Sequence, residues 1–356
     1  MKAAVIGCGR MGVFTSPAVQ QFAPPCWFPL SHAEAIARHP ALDLAGLCDA
    51  DAGTLARARA ACGDVEVFSD HRALLTAIQP AIVGIATRTP GRVDIIADCI
   101  AAGARALHVE KPLCNTMAEL DRLEMLFARD DVFITYGAIR RHFAIYDHAR
   151  TLAASGAFGK LLEVRVNMGS GALYWTHPHS VDLILWAAGD RIVTAVQATL
   201  GNIKTGRTPH EIRTDPIIES ATIHFEDGVA GHIGRAPGCD LLLACETAEI
   251  AVTNDGRTIR INAVNGDDPY PALTTIDWQE PAIAQGILAP ISQLVDCLQG
   301  NKIARAANAA LKRDVLVGQR CLFGFVQSNA AGSIKTALDG LDSGMAILAE
   351  SNGRAA

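Results

Sequence analysis

The first dozen residues, MKAAVIGCGRMG, limit the fold more than any other stretch, because a short apolar strand runs straight into GCGRMG at 7–12. A strand leaving a sheet through such a loop needs its glycines for three separate reasons. The first makes a tight turn, the second lets backbone approach a pyrophosphate, and the third packs a helix closely against the strand. The motif alone is weak, but directly after a buried strand it predicts a parallel α/β sheet. Gly7, Gly9, Arg10, Met11 and Gly12 would then cradle a dinucleotide phosphate.

The rest of the N-terminal part keeps that grammar. AAVIG (3–7), LDLAGLCD (42–49), AIVGIAT (81–87), ALHVE (106–110) and VFITYG (132–137) are apolar with little alternation, as expected of strands buried on both faces. Helical stretches at 51–62, 91–103 and 116–129 separate them, so residues 1–137 read as a doubly wound Rossmann domain. The second strand ends in Asp49, placed to accept from a ribose 2′-OH and to repel a 2′-phosphate, which favours NAD over NADP. Asp49 lies 37 positions after Gly12, where about 20 is usual. The excess fits an insertion at 13–31, which holds four of the sixteen prolines and ends before a capping-box start, SHAE. Its aromatics Phe22, Trp27 and Phe28 either cover the site or pack the insertion onto the domain.

Residues 138–356 read differently. A helix, a strand and alternating segments such as IIESATIHFEDGVAGHIGR (217–235), with a D-G turn, predict antiparallel strands. Helical stretches near 282–299 and 307–330 complete an α+β domain with a large, mostly antiparallel open sheet. At 356 residues, two domains are expected.

Composition excludes some partners. The net charge is −6 with no basic run, so neither nucleic acid nor an anionic membrane surface is expected. No apolar stretch reaches the length of a membrane span. The ten cysteines are scattered without metal spacing, which with the absence of a leader pattern predicts a cytoplasmic protein.

Two stretches carry candidate chemistry. In LHVEKPL (107–113), Lys111 leaves the carboxyl end of a strand, where ligands bind open α/β sheets, and Pro112 directs its backbone. In YWTHPHSVD (174–182), the two histidines allow an acid–base site, a metal site or a core corner. His-x-His supplies only two ligands and nothing nearby completes a set, so no metal is expected. Arg140, Arg141 and His142 either line the domain junction, suiting an anionic substrate, or begin a solvated helix.

GCGRMG (7–12), HAEAIARHPALDLAGLCD (32–49), IVGIAT (82–87), LHVEKPL (107–113), ASGAFGKL (154–161) and GALYWTHPHSVDLILWAAGD (171–190) together resemble the Gfo/Idh/MocA oxidoreductases, the glucose–fructose oxidoreductase and inositol dehydrogenase family. The resemblance spans both domains. It implies an NAD(P)-dependent oxidoreductase interconverting a secondary alcohol and ketone on a sugar, cyclitol or activated sugar, with a small-molecule substrate and a homodimeric or homotetrameric assembly. It adds Thr87, Glu110 and Lys111 to the cofactor site, and matches Lys111, His179 and Asp182 to the family's catalytic lysine, histidine and second aspartate. The chain departs where Trp175 replaces the family's first aspartate and His177 replaces a glycine. Trp175, His177 and Arg140 are therefore candidate substrate contacts, His177 equally a core residue. Two alternatives stay open: redox-neutral glycosidase or epimerase chemistry through tightly held NAD, and a regulatory NAD-binding protein without turnover.

Overall fold

In a computed structural model, which describes residues 1–205, 211–264, 270, 272–277 and 285–349, the apolar N-terminal runs form strands at their expected places. The elements are β1 (Lys2–Ile6), α1 (Pro17–Phe22), α2 (His32–Arg38), β2 (Asp43–Cys48), α3 (Ala52–Cys62), β3 (Glu66–Phe68), α4 (His71–Ile78), β4 (Ile82–Ile85), α5 (Arg92–Ala101), β5 (Ala106–Val109), α6 (Met117–Phe127) and β6 (Phe133–Tyr136). The six strands form one parallel sheet in the order β3-β2-β1-β4-β5-β6, the dinucleotide-binding order. β4, β5 and β6 are buried along their whole length, which is why they lack alternation. All their carboxyl ends lie at one edge, and there the chain turns through Gly7, Thr87 and Lys111.

The insertion is spliced into a helix. His32 N–H donates to the Met11 carbonyl and Ala33 N–H to the Gly12 carbonyl, both at 2.9 Å. In an uninterrupted α-helix those carbonyls would be met by residues 15 and 16. Residues 32 and 33 thus occupy the places of 15 and 16, and the looped-out segment is 17 residues long. Subtracting it from the 37 positions between Gly12 and Asp49 leaves 20, the ordinary spacing. The far end of the insertion packs down on its own unit: Gly286 N–H donates to Cys26 O and Ile287 N–H to Pro29 O, both at 2.8 Å. Phe28 and Trp27 are half-buried there, whereas Phe22 at the tip of α1 is exposed.

The remaining elements are α7 (Ala144–Ala154), β7 (Leu161–Asn167), α8 (His177–Ala188), β8 (Val193–Gly201), β9 (Glu211–Ile212), β10 (Ile217–Phe225), β11 (Ala230–Gly234), β12 (Asp240–Cys245), β13 (Ala248–Thr253), β14 (Thr258–Ala263), β15 (Ala272–Asp277), α9 (Leu288–Leu298), α10 (Lys302–Ala330), β16 (Thr336–Ala337) and β17 (Ala346–Ile347). Nine strands make a second sheet, β15-β14-β13-β12-β7-β11-β10-β8-β16, antiparallel except for the β7–β11 pair. Asp227-Gly228 turns β10 into β11, with Gly228 at φ +88°. α8 lies on this sheet, and Gly231 lets it approach: a Cβ there would fall 2.2 Å from Ile184 Cγ2.

The chain forms two units, the first of Met1–Cys114, Asp121–Ile139 and the described part of 282–313. α9 therefore returns to the first unit, where it packs on β5 and β6; its sequence pattern alone places it with the second domain. Residues 282–284 of the helix expected at 282–299 lie outside the described residues. No helix among the described residues is long and apolar enough to cross a membrane, and no disulfide joins the cysteines among them.

Candidate active site

In the first unit the three loop glycines have three distinct surroundings. Gly7 sits at φ +93°, and a Cβ on it would lie 2.6 Å from the Ala86 carbonyl carbon and 2.7 Å from Thr87 N. A Cβ on Gly12 would lie 1.8 Å from Gly7 O, so only glycine permits that packing. A Cβ on Gly9 would meet no atom within 4 Å. Turn, helix contact and open approach are thus divided as a pyrophosphate cradle requires. Arg10 beside them is exposed and Met11 half-buried. Thr87 Oγ1 is buried without a hydrogen-bond partner, leaving a polar atom at the same sheet edge for a ligand to satisfy.

Asp49 is half-buried at the end of β2. Its Oδ2 accepts from Cys8 N–H at 2.7 Å and its Oδ1 from Asp51 N–H at 2.9 Å. Each carboxylate oxygen keeps a further lone pair, enough for a ribose hydroxyl. The residues present therefore fit a dinucleotide: Gly7, Gly9 and Gly12 for its phosphates, Asp49 for its ribose.

Lys111 is half-buried at the carboxyl end of β5, and its N–H donates to Glu110 Oε2 at 3.2 Å. Glu110 is buried and its Oε1 lies 3.3 Å from His32 Nε2. Burial alone would raise this carboxyl, but the His32 hydrogen bond and the neighbouring His32, Lys111 and His108 hold it at about 2. Arg92, at the start of α5, is also buried, and its guanidinium donates to the carbonyls of Thr87, Glu110 and Pro112. Nothing in the sequence marks Arg92 or His32 as part of the Lys111 loop. Ligand atoms of His32, His108 and Glu110 lie within 4.8 Å of one another, the spacing of a metal donor set. His32 and Glu110 are bonded to each other, however, and His108 Nδ1 lies 3.0 Å from Thr135 Oγ1.

The second unit separates the residues of YWTHPHSVD. His179 is half-buried in the first turn of α8, its N–H donating to Thr176 O. His177 is fully buried, with Nε2 3.1 Å from Gly171 O and Nδ1 3.0 Å from Ser180 Oγ. Because a carbonyl only accepts, Nε2 carries the hydrogen and Nδ1 accepts from the serine. Burial lowers this imidazole to about 4, so it stays neutral. His177 is a buried residue whose two ring nitrogens pin its own turn.

Asp182 is held in an ion pair. Both carboxylate oxygens face Arg141, at 2.9 Å from Nε and from Nη2, while Arg141 Nη1 donates to Asp314 Oδ2 at 3.1 Å. All three are buried, so Asp182 is an internal ion-pair partner of Arg141, each of its oxygens keeping a further lone pair. Burial pushes it up to about 6, with Arg141 pulling down and Asp314 pushing up. Arg140 grips Asp255 in the β13–β14 turn through Nε and Nη2, at 2.8 and 3.1 Å. Trp175 keeps 39% of its surface exposed. The main-chain N–H groups of Tyr174 and Trp175 both donate to Asp215, at 2.7 and 2.9 Å. Asp215, 40 positions away, holds the turn that presents the indole.

Strand order, cradle and acid are those of a dinucleotide-binding Rossmann unit. Residues 1–138 match the Gfo/Idh/MocA model, described as an oxidoreductase family with an NAD-binding Rossmann fold. The likeness to that family model thus covers the chain's N-terminal 138 residues. The chain is 29% identical over 212 residues to inositol 2-dehydrogenase 2 of Saccharopolyspora erythraea, a match over 56% of this chain and 57% of that protein. The chain thus spans little more than half the length of that curated relative. Among solved structures, levoglucosan dehydrogenase in complex with NADH and levoglucosan superposes with a TM-score of 0.68 at 17% identity, over 96% of this chain and 100% of the other. An Agrobacterium radiobacter oxidoreductase in complex with NAD+, L-tartaric acid and magnesium gives 0.67 at 17% identity, over 95% and 98%. At such identities these likenesses speak for the fold.

Proposed function

We propose that the protein interconverts a secondary alcohol and a ketone on a cyclic polyol or sugar, using NAD. The observation that carries the reading is the meeting of a dinucleotide cradle and the Lys111 loop at one edge of one parallel sheet. The names of the relatives, an inositol dehydrogenase and a levoglucosan dehydrogenase, support a ring alcohol as substrate. NAD, when bound, supplies the acceptor and donor of the hydride. Lys111 places an ammonium at the substrate oxygen and stabilises its developing negative charge. His179 takes the hydroxyl proton in oxidation and returns it in reduction, a task suited to imidazole near neutral pH. Asp49 accepts from the ribose hydroxyls and disfavours a 2′-phosphate. The exposed Trp175 indole offers a flat face for the C–H side of a ring.

The test is NADH formation at its absorbance band, with NAD+ and a panel of inositols, sugars, sugar acids and nucleotide sugars. Turnover of one substrate class by the wild type, lost on Lys111→Ala while NADH binding persists, is the expected result. Undiminished turnover in that variant overturns the role of Lys111. Silence across the panel despite NADH binding moves the reading to redox-neutral or regulatory function.

A further inference from the structure

The side chains packed behind Lys111 are more elaborate than a solvated lysine needs. His32 stands at the first position of α2, where the helix resumes after the insertion, and is fully buried. Its imidazole contacts one oxygen of Glu110 at 3.3 Å, and the other oxygen accepts the Lys111 N–H at 3.2 Å. Two glycines make the room. A Cβ at Gly84 in β4 would lie 2.7 Å from His32 Nδ1, and one at Gly137, just after β6, would lie 2.6 Å from Glu110 Oε2. The His108 ring packs 4.6 Å from that of His32 and is oriented by Thr135. From the other side Arg92 binds the carbonyls of Glu110 and Pro112, the two residues flanking Lys111. A buried ionic group taken from water is weak support for stability, and apolar packing of the same volume does as well. A fixed geometry around a reacting side chain is what such a shell supplies.

We infer that His32, Glu110 and Arg92 are positioning residues that hold Lys111 in one orientation, with the Glu110 carboxylate beside its ammonium. The inference rests on the proposed role of Lys111. Among the described residues the charged and titratable groups around Glu110 are His32, His108, Lys111 and, on its carbonyl, Arg92. Removing the Glu110 charge withdraws a neighbour that favours the ammonium.

The experiment uses the purified full chain. Competitive acetylation by acetic anhydride across pH 7–11, read peptide by peptide by mass spectrometry, gives the deprotonation midpoint of Lys111. In Glu110→Gln that midpoint is expected to fall by about one pH unit while the other lysines stay put. Hydrogen exchange of the Lys111 amide is measured in parallel. His32→Leu is expected to speed it at least about tenfold by releasing its acceptor, and His32→Gln, which keeps an N–H toward Glu110, to restore most of the protection. With a substrate in hand, His32→Leu lowers kcat at unchanged KM and NADH affinity. A folded Glu110→Gln protein with an unmoved Lys111 midpoint overturns the inference, as does unchanged amide exchange in His32→Leu. Neither readout needs turnover, so a silent substrate panel defeats the dehydrogenase reading without touching this result.

Discussion

Arg141→Met is the substitution whose consequence the structure specifies most fully. It removes a guanidinium contacting both Asp182 and Asp314 and leaves two buried carboxylates facing a thioether. Two like charges left buried without that cation favour folding with a proton taken up. Drawing one proton from pH 7 onto a group of unfolded value 3.8 costs roughly 1.36 × 3.2, or about 4 kcal/mol; at pH 5 the same step costs about 1.6 kcal/mol. The higher figure agrees with the ~3–5 kcal/mol found on breaking buried ion pairs. Stability of the variant must therefore fall as pH rises, because its folded state holds a proton that its unfolded state has released. Urea unfolding of wild type and variant at pH 7 and pH 5 measures this, with a deficit expected to shrink by about 1.4 kcal/mol, roughly a third, in acid, because wild-type Asp182 itself takes up a proton below about 6. Arg141→Met with Asp314→Asn should regain about half of the loss at pH 7, since one charge then remains unneutralised. A deficit below about 1 kcal/mol, or one of equal size at both pH values, would refute the account of this triad.

The other expectations are narrower. Asp49→Ala should weaken NADH binding at least about tenfold and narrow the preference over NADPH, measured by fluorescence titration of both cofactors; an unchanged ratio removes Asp49 from the ribose. His177, held at about 4 against 6.5 when unfolded, adds stability that is complete above pH 6.5 and lost toward pH 4, about 3 kcal/mol in all. Asp182, raised to about 6, works in the opposite sense between pH 4 and 6. The two slopes offset, so His177→Gln should yield a protein whose urea midpoint falls as pH rises through that window, where the wild type stays flat. Deleting residues 15–31 joins Phe14 to His32 in the register the helix already uses. That protein should keep NADH affinity within about threefold, and loss of binding would show that the insertion supports the cradle.

How much of this was legible beforehand depended on how local each cause is. The buried strands β1, β4, β5 and β6 declare themselves because burial on both faces removes alternation, and the glycine loop because each glycine answers to its immediate neighbours. β3 is three residues long and carries no period. α9 has the composition of any apolar helix, and only its packing on β5 and β6 assigns it to the first unit. Arg92 reads as a polar helix start, although its partners are carbonyls up to 20 positions away. In YWTHPHSVD the residue pattern alone does not separate His177 from His179; only the family resemblance singles out His179. What separates them is the Gly171 carbonyl and the Ser180 hydroxyl, whose approach is set by the turn itself. The Arg141 partners lie 41 and 173 positions distant, so a reading along the chain sees a basic cluster where the folded protein has a neutralised one.

The looped-out segment between Phe14 and His32 bears on how such chains are found and altered. A pattern search that demands the ribose acid about 20 positions after the glycines would pass over this protein, although the helical ladder shows the spacing intact once the loop is counted out. The junction between the first and second turns of that helix acts as a port. Foreign sequence enters and leaves there within one hydrogen-bonding register, and the phosphate cradle upstream is undisturbed. A peptide exchanged into this port would sit next to the cofactor helix without being part of it, so surface properties near the cofactor could be changed independently of the residues that bind it.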